Sequence, residues 1–279
     1  MIDKVISPTR VGLSKSLMTT PCERKGFYSE KVRDSEGGRL RFAMPERVIF
    51  GSAVDSAHLE IVYAASQGRW PLEITLAVEK GMERARKSQA SEPIDWAVFQ
   101  VQLTNAMSLF VSQPDGLARI PLDGIRFQGA NGASLKADDV IGTPDIWLGD
   151  DSVLDVKAAG RRKSVADFYR TAEMPIYALL VASQSGVLPP KLIYQVYVRN
   201  VKPYWQWVEV PGTAAIVALG KAHAAHWRAL LTGPVEMASW DTAFCHDCGF
   251  RDALPDVGFG GCEIGQTIPV SDELEVLAA

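Results

Sequence analysis

Apolar positions in the first third of the chain recur at helical spacing. Residues 14–30 read as a short helix with Ser14 as its N-cap. Pro45 precedes the apolar run Val48-Ile49-Phe50. Residues 51–66, 72–88 and 94–112 then each repeat with the period of an amphipathic helix. Pro114-Asp115-Gly116 marks a turn. Beyond it the period shortens towards two. Residues 117–128 and 140–148 alternate, and 152–158 form an apolar strand after the Gly149-Asp150-Asp151 turn. A helix is predicted over 164–184, capped by Ser164. Strands are predicted for Leu192–Val198 and Tyr204–Val210, joined around Asn200–Pro203, with a last helix over 213–232. This order predicts an α/β fold with one central sheet flanked by helices.

No repeat and no linker-like run interrupts the pattern, so the expectation is a single domain over residues 1–262. It divides into a mostly helical part (14–113), a core of sheet and helices (114–232) and a cysteine-rich part (233–262). An acidic tail, 263–279, follows. That tail carries Glu263, Asp272, Glu273 and Glu275 with no Lys or Arg, which accounts for the formal charge of −4. The body is therefore near neutral, and net charge does not exclude a nucleic-acid partner. No continuous apolar run of about 18 residues appears, and the N-terminus lacks the apolar core of a secretory signal. The expected location is the reducing cytoplasm, with no membrane association. There, four cysteines in a chain of this size point to a metal site or buried thiols rather than disulfides.

The segment Pro144-Asp145-Ile-Trp-Leu-Gly-Asp-Asp-Ser-Val-Leu-Asp155-Val156-Lys157 carries the candidate chemistry. Asp155 and Lys157 are two apart and share one face of a strand. A hairpin brings Asp145 beside them. Two carboxylates converging on one point require a cation, and oxygen ligands suit Mg²⁺ or Mn²⁺, with the Val156 carbonyl as a further oxygen. Such an ion polarises a phosphoryl oxygen and acidifies a bound water, while the lysine orients or helps deprotonate the water or offsets negative charge. Asp-x-Lys alone is a common surface pattern. Inside an apolar strand it needs a partner.

In these residues the chain resembles the PD-(D/E)xK nuclease superfamily, specifically its RecB-like branch, which includes AddB-type nucleases and CRISPR-adaptation exonucleases. The resemblance implies a restriction-endonuclease-like mixed sheet, Asp145 and Asp155 as metal ligands, and Lys157 as the catalytic lysine. The branch often places Gly-x-x-x-His upstream. Here Gly51-Ser-Ala-Val-Asp55 puts Asp55 at the ligand position, with His58 one turn on as its rival. Downstream, Gln-x-x-x-Tyr corresponds to Glu173 and Tyr177, with Glu replacing Gln. Between them lies Lys157-Ala-Ala-Gly-Arg161-Arg162-Lys163, four positive charges and no negative one, suited to phosphates.

Cys245-His246-Asp247-Cys248 is followed by Cys262, and Cys22 lies far upstream. The four thiols can form one site, and soft thiolates select zinc or an iron–sulfur cluster. The resemblance implies a [4Fe–4S] cluster held by one N-terminal and three C-terminal cysteines, a staple joining the two terminal regions. The gap before Cys262 is longer than the family's usual one, which keeps zinc open, with His246 as a substitute ligand. His223 and His226, three apart, read as ordinary helix residues, and Trp205 and Trp207 as one face of a packed strand.

The functional expectation is a metal-dependent DNA nuclease, an exonuclease acting on single strands or duplex ends in DNA processing, recombination, repair or a phage cycle. With no Walker A sequence, any unwinding falls to a helicase or recombinase partner. The alternatives are a non-catalytic DNA-binding module of the same fold and a structural Cys₄ metalloprotein.

Overall fold

A computed structural model describes residues 13–20, 22–32, 40, 42–69, 74–128, 134–239, 248, 250, 253–257 and 260–262. The chain forms two compact units, one of residues 44–223 and one of residues 1–43 with 224–279.

In the second of these units, Leu13–Ser14 form a two-residue strand, β1, and Lys15–Met18 a one-turn helix, α1. Ser14 caps α1 as expected, its hydroxyl accepting from the Leu17 amide at 3.3 Å. The helix predicted over 14–30 is interrupted: α1 ends at Met18, capped by Thr19, and α2 (Glu23–Lys31) starts anew after Cys22. Gly26 lets α2 approach the final helix. A Cβ there would meet the Trp227 ring at 2.4 Å. His226 also reaches α2, with Nε2 2.6 Å from Glu23 Oε1, and the Ser239 amide donates to Glu23 Oε2 at 2.8 Å.

The 44–223 unit is built on α3 (Glu46–Ser66), α4 (Ile74–Arg86) and α5 (Trp96–Ser112). Asp95 caps α5, accepting from the Ala97 and Val98 amides at 3.0 and 3.1 Å. By length and composition α3 is apolar enough to cross a bilayer, but most of its apolar stretch is buried within the protein. It is a core helix with little polar face. It packs against α4, α5 and the sheet, where Phe50, Phe99 and Phe110 meet Leu154, Val156 and Trp205.

After α5 come β2 (Phe127–Gln128), β3 (Leu135–Ala137), β4 (Val140–Gly142), β5 (Ile146–Trp147) and β6 (Val153–Ala159). Helices α6 (Asp167–Arg170) and α7 (Glu173–Ser185) lead to β7 (Lys191–Val198) and β8 (Tyr204–Pro211), and α8 (Ala214–Thr232) follows. The main sheet has the order β2-β5-β6-β7-β8. Its β6–β7 pair is parallel and its other pairs antiparallel, giving the expected central mixed sheet flanked by helices. The parallel pair requires a crossover, which α6 and α7 supply. Helix α7 packs on β6 and on the β3–β4 hairpin.

Three predicted elements come out shorter. Of the strand predicted over 117–128 only β2 forms. Leu117–Arg119 make a 3-10 turn, and Pro121 and Gly124 (φ 69°) bend the rest. The 140–148 strand splits into β4 and β5 around Thr143-Pro144-Asp145. The 164–184 helix breaks because Thr171 is extended (φ −113°, ψ 151°). Trp205 and Trp207 do belong to a packed face. Trp205 is buried and its indole N–H donates to the Ala106 carbonyl at 2.8 Å, while Trp207 lies half-buried against the same core.

Gly81 of α4 sets how closely α4 lies on α3. A Cβ at this position would stand 2.7 Å from the Ala53 carbonyl oxygen and 2.8 Å from Leu103 Cδ2. Gly81→Ala is expected to destabilise the protein by about 1–3 kcal/mol despite its better helix propensity. The check is thermal unfolding followed by circular dichroism, with the midpoint falling by about 2–4 °C per kcal/mol.

Candidate active site

Alternation along β6 divides its side chains between two surroundings. Leu154 and Val156 enter the core under α3 and α5. Asp155 and Lys157 therefore lie on the face towards α7. Asp155 is fully buried, a costly place for a carboxylate unless it is compensated. Compensation comes from the same strand: Lys157 Nζ lies 2.5 Å from Asp155 Oδ2. The ammonium also meets Glu173 Oε1 at 3.0 Å. The break at Thr171 starts α7 at Glu173, which places the carboxylate at a helix N-terminus, where the dipole favours it.

Asp145 reaches the same place from β5. The β5–β6 ladder pairs Ile146 with Leu154 and Trp147 with Val153. Beyond it, the Asp145 side chain takes over as acceptor, with the Val156 amide donating to Oδ2 at 2.7 Å. Tyr177, one turn after Glu173, is buried and donates its hydroxyl to the Thr143 carbonyl at 2.9 Å. It thereby ties α7 to the turn that carries Asp145. Tyr194, paired in register with Asp155, donates to Glu173 Oε2 at 3.5 Å and lies 3.3 Å from Thr171 Oγ1.

These charges act on one another. Burial would lower the Lys157 pKa, but Asp155, Glu173 and Asp145 outweigh it and hold the ammonium well above the usual lysine range. In this arrangement Lys157 is a charge-balancing donor rather than a base. Burial pushes the Tyr177 phenol well up, and the charges of Asp155, Asp145, Glu173 and Asp55 push it further. Asp55, on α3, thus belongs to the same electrostatic neighbourhood, and its Oδ1 is shielded from solvent.

His58 goes elsewhere. It is fully buried, its Nε2 lies 2.7 Å from Gln195 Oε1, and its ring centroid stands 4.3 Å from that of Phe110. Gln195 in turn donates to the Asp115 and Gly116 carbonyls at 2.9 and 3.0 Å. Of the two rivals on α3, Asp55 neighbours the carboxylates and His58 serves the core. Neither Gln195 nor Tyr194 belongs to a motif. The only sequence signal for Tyr194 is its strand parity, which puts it on the Asp155 face.

Asp145, Asp155 and Glu173 face the Lys157 ammonium and Asp55 acts on the neighbouring Tyr177, so the local donors are carboxylate oxygens, the chemistry a hard divalent cation takes. Among the described residues, no three His, Cys, Asp or Glu side chains are drawn tightly enough to hold an ion as they stand. Lys157 instead bridges Asp155 and Glu173. In the adjoining loop Lys163 is clamped by Gln206, whose side chain accepts from its amide and donates to its carbonyl, both at 2.9 Å. Arg161 and Arg162 are exposed, and Arg161 Nη2 lies 3.5 Å from Asp167 Oδ1. Asp167 accepts from both the amide and the hydroxyl of Ser164, so that serine is a donor to Asp167 and not the predicted helix cap: α6 starts after Ala166, which makes no side-chain capping bond.

In the other unit Cys22 and Cys262 are buried and Cys248 is partly so. The Cys262 amide donates to the Phe250 carbonyl at 2.8 Å. Burial raises the Cys248 thiol pKa. The Phe250 amide and Lys25 oppose the rise, and the neighbouring Cys22 and Cys262 add to it. Cys22, Cys248 and Cys262 thus belong to one unit and act electrostatically on one another, without being drawn together tightly enough to hold an ion as they stand. Cys245 and His246 lie outside the described residues, as does the acidic tail.

No protein family and no curated protein matches this chain. Among solved structures it is similar to LHK-Exo in complex with dAMP, with a TM-score of 0.29 and 12% identity over 67% of this chain and 92% of that one. It is similar to an alkaline exonuclease (LHK-Exo) from Laribacter hongkongensis, with a TM-score of 0.29 and 10% identity over 68% and 93%. It is also similar to SSO0001, with a TM-score of 0.28 and 12% identity over 86% and 95%.

His58 makes a testable contribution to pH-dependent stability. Burial lowers its pKa from 6.5 to about 4, partly offset by the Gln195 contact. The unfolded chain then binds the proton more tightly than the native one, so the stabilisation is fully present above about pH 6.5 and lost as pH falls towards 4. The loss expected over that window is about 3 kcal/mol. Urea unfolding at stepped pH should show it in the wild type and a correspondingly flatter profile in His58→Gln.

Proposed function

We propose that this protein is a divalent-metal-dependent DNA nuclease of the PD-(D/E)xK type, RecB-like in its motifs, acting as an exonuclease on single strands or duplex ends. The observation that carries the reading is the gathering of Asp145, Asp155 and Glu173 around Lys157. A chance Asp-x-Lys on a charged strand does not bury its aspartate or recruit two further acids from separate elements. A structural metalloprotein with an incidental Asp-x-Lys strand has no need of that convergence.

Asp145, Asp155, the Val156 carbonyl and Asp55 would hold Mg²⁺ or Mn²⁺. The ion supplies Lewis-acid polarisation of the scissile phosphate. Lys157 donates to a phosphate oxygen and offsets the negative charge that builds up during substitution at phosphorus. Glu173 orients Lys157, and Tyr177 holds the turn that carries Asp145. Arg161, Arg162 and Lys163 contact the phosphates that flank the site. In the other unit, Cys22, Cys245, Cys248 and Cys262 would hold a [4Fe–4S] cluster, with zinc as the alternative, and binding of that group stabilises the fold around them. The substrate is DNA undergoing processing, recombination or repair, with a helicase or recombinase supplying any unwinding.

One observation favours a second reading, a DNA-binding module without catalysis: the closed bridge of Lys157 between Asp155 and Glu173. Digestion of 5′- and 3′-labelled linear DNA with Mg²⁺ or Mn²⁺ separates the two. Lys157→Ala and Asp155→Ala are each expected to lower the rate by about 10²-fold or more. DNA left intact by pure, cluster-loaded protein favours the binding module. Cleavage unchanged by both substitutions contradicts the assigned site. Protein purified anaerobically should be brown from thiolate–iron charge transfer. A colourless preparation holding one zinc per chain would contradict the cluster.

A further inference from the structure

We infer that the segment from Gly160 to Arg170 is a docking surface for a single DNA strand, on which Tyr169 stacks one unpaired base while Arg161, Arg162 and Arg170 hold its phosphates. The inference deepens the nuclease reading and rests on it for the identity of the strand.

The segment leaves β6 directly after the turn of strand that carries Lys157, and it is pinned from beneath. Gln206 clamps the Lys163 backbone from both sides. Asp167 gathers the Ser164 amide at 2.7 Å and its hydroxyl at 3.0 Å. Phe168 is fully buried, its ring centroid 4.6 Å from that of Tyr194, and Lys163 Nζ stands 5.6 Å from the same ring. The Tyr194 hydroxyl reaches Glu173. A single side chain therefore separates the underside of this segment from the carboxylate site.

The outward side has a different character. Arg161, Arg162 and Arg170 are exposed, the Arg161 side chain by 74%. Tyr169 is 48% exposed and Val165 54%. Asp167, the segment's sole acid, is buried and engaged by Ser164 and Arg161. What remains exposed is three arginines and a half-exposed tyrosine on one eleven-residue segment whose backbone and acid are held by Gln206 and Ser164. Cations complement a phosphate backbone of any kind. An aromatic face adds affinity only where a base has an open π-face, which a stacked duplex does not present and a single strand does. The combination thus selects a single strand over a duplex or an acidic peptide.

The test is fluorescence anisotropy of a labelled oligothymidylate and of a blunt duplex of equal length, in EDTA so that neither is cleaved. Tyr169→Ala should weaken single-strand binding by about 5- to 150-fold and leave the duplex unaffected. Tyr169→Phe, which keeps the ring, should bind like the wild type. Arg162→Ala should weaken both substrates and flatten their salt dependence. Wild-type affinity in Tyr169→Ala, loss in Tyr169→Phe, or competition by polyglutamate as effective as by oligothymidylate would overturn the inference. Because binding is read without a divalent ion, it is independent of cleavage. Tyr169-dependent binding with no nuclease activity would sink the nuclease reading alone, and cleavage with Tyr169-independent binding would sink this inference alone.

Discussion

The contact between Lys157 and the buried Asp155 is the constraint around which the rest of the site is arranged. A carboxylate with no solvent exposure in the middle of a sheet is tolerated only with a charge partner and further hydrogen bonds, and removing one member of such a pair typically costs about 3–5 kcal/mol. Every element nearby serves that requirement. Helix α7 begins where it does so that Glu173 completes the coordination of the ammonium. Tyr194 steadies Glu173 from the neighbouring strand, and Tyr177 fastens the helix to the turn before β5. Asp145 replaces a ladder acceptor at the point where β5 and β6 part. The result is an excess of acid over base in one place, which is unfavourable by itself and favourable once a cation is shared.

The parts of this fold that follow from periodicity alone were legible before any coordinates. Helices α3, α4 and α5, strands β6, β7 and β8, and α8 fall close to where their apolar spacing predicts. The misreadings have local causes. Residues 117–128 alternate like a strand, yet Pro121 and a left-handed Gly124 prevent pairing over most of that length. The helix over 164–184 has unbroken helical periodicity, and tertiary contacts of Thr171, Tyr194 and Glu173 decide the break. Asp145, Asp155 and Lys157 were legible because their spacing on paired strands is itself a geometric statement. Glu173 and Tyr177 were legible only through the resemblance to the family's Gln-x-x-x-Tyr pattern, since a Glu and a Tyr four apart on a helix carry no signal by themselves. The role of His58 was not, because its partner Gln195 lies 137 residues away and only the fold joins them. Tyr169 was equally silent, since one exposed tyrosine on the short helix α6 carries no periodic signal.

The two candidate sites divide the chemistry by hardness. The 44–223 unit gathers carboxylates and one ammonium, a set for hard divalent ions. The unit of residues 1–43 and 224–279 holds Cys22, Cys248 and Cys262, soft donors by their chemistry. Burial raises the Cys248 thiol pKa, and its neighbours Cys22 and Cys262 add to the rise.

The central claim, that Asp155 and its neighbours form a cation site, is tested most directly by calorimetric titration of the protein with Mn²⁺ in the absence of DNA. Saturable binding is expected, lost in Asp155→Asn and weakened in Asp55→Asn and Asp145→Asn. Binding should persist in His58→Gln, whose side chain lies in the core. No binding by the wild type, or binding unchanged in Asp155→Asn, would contradict it.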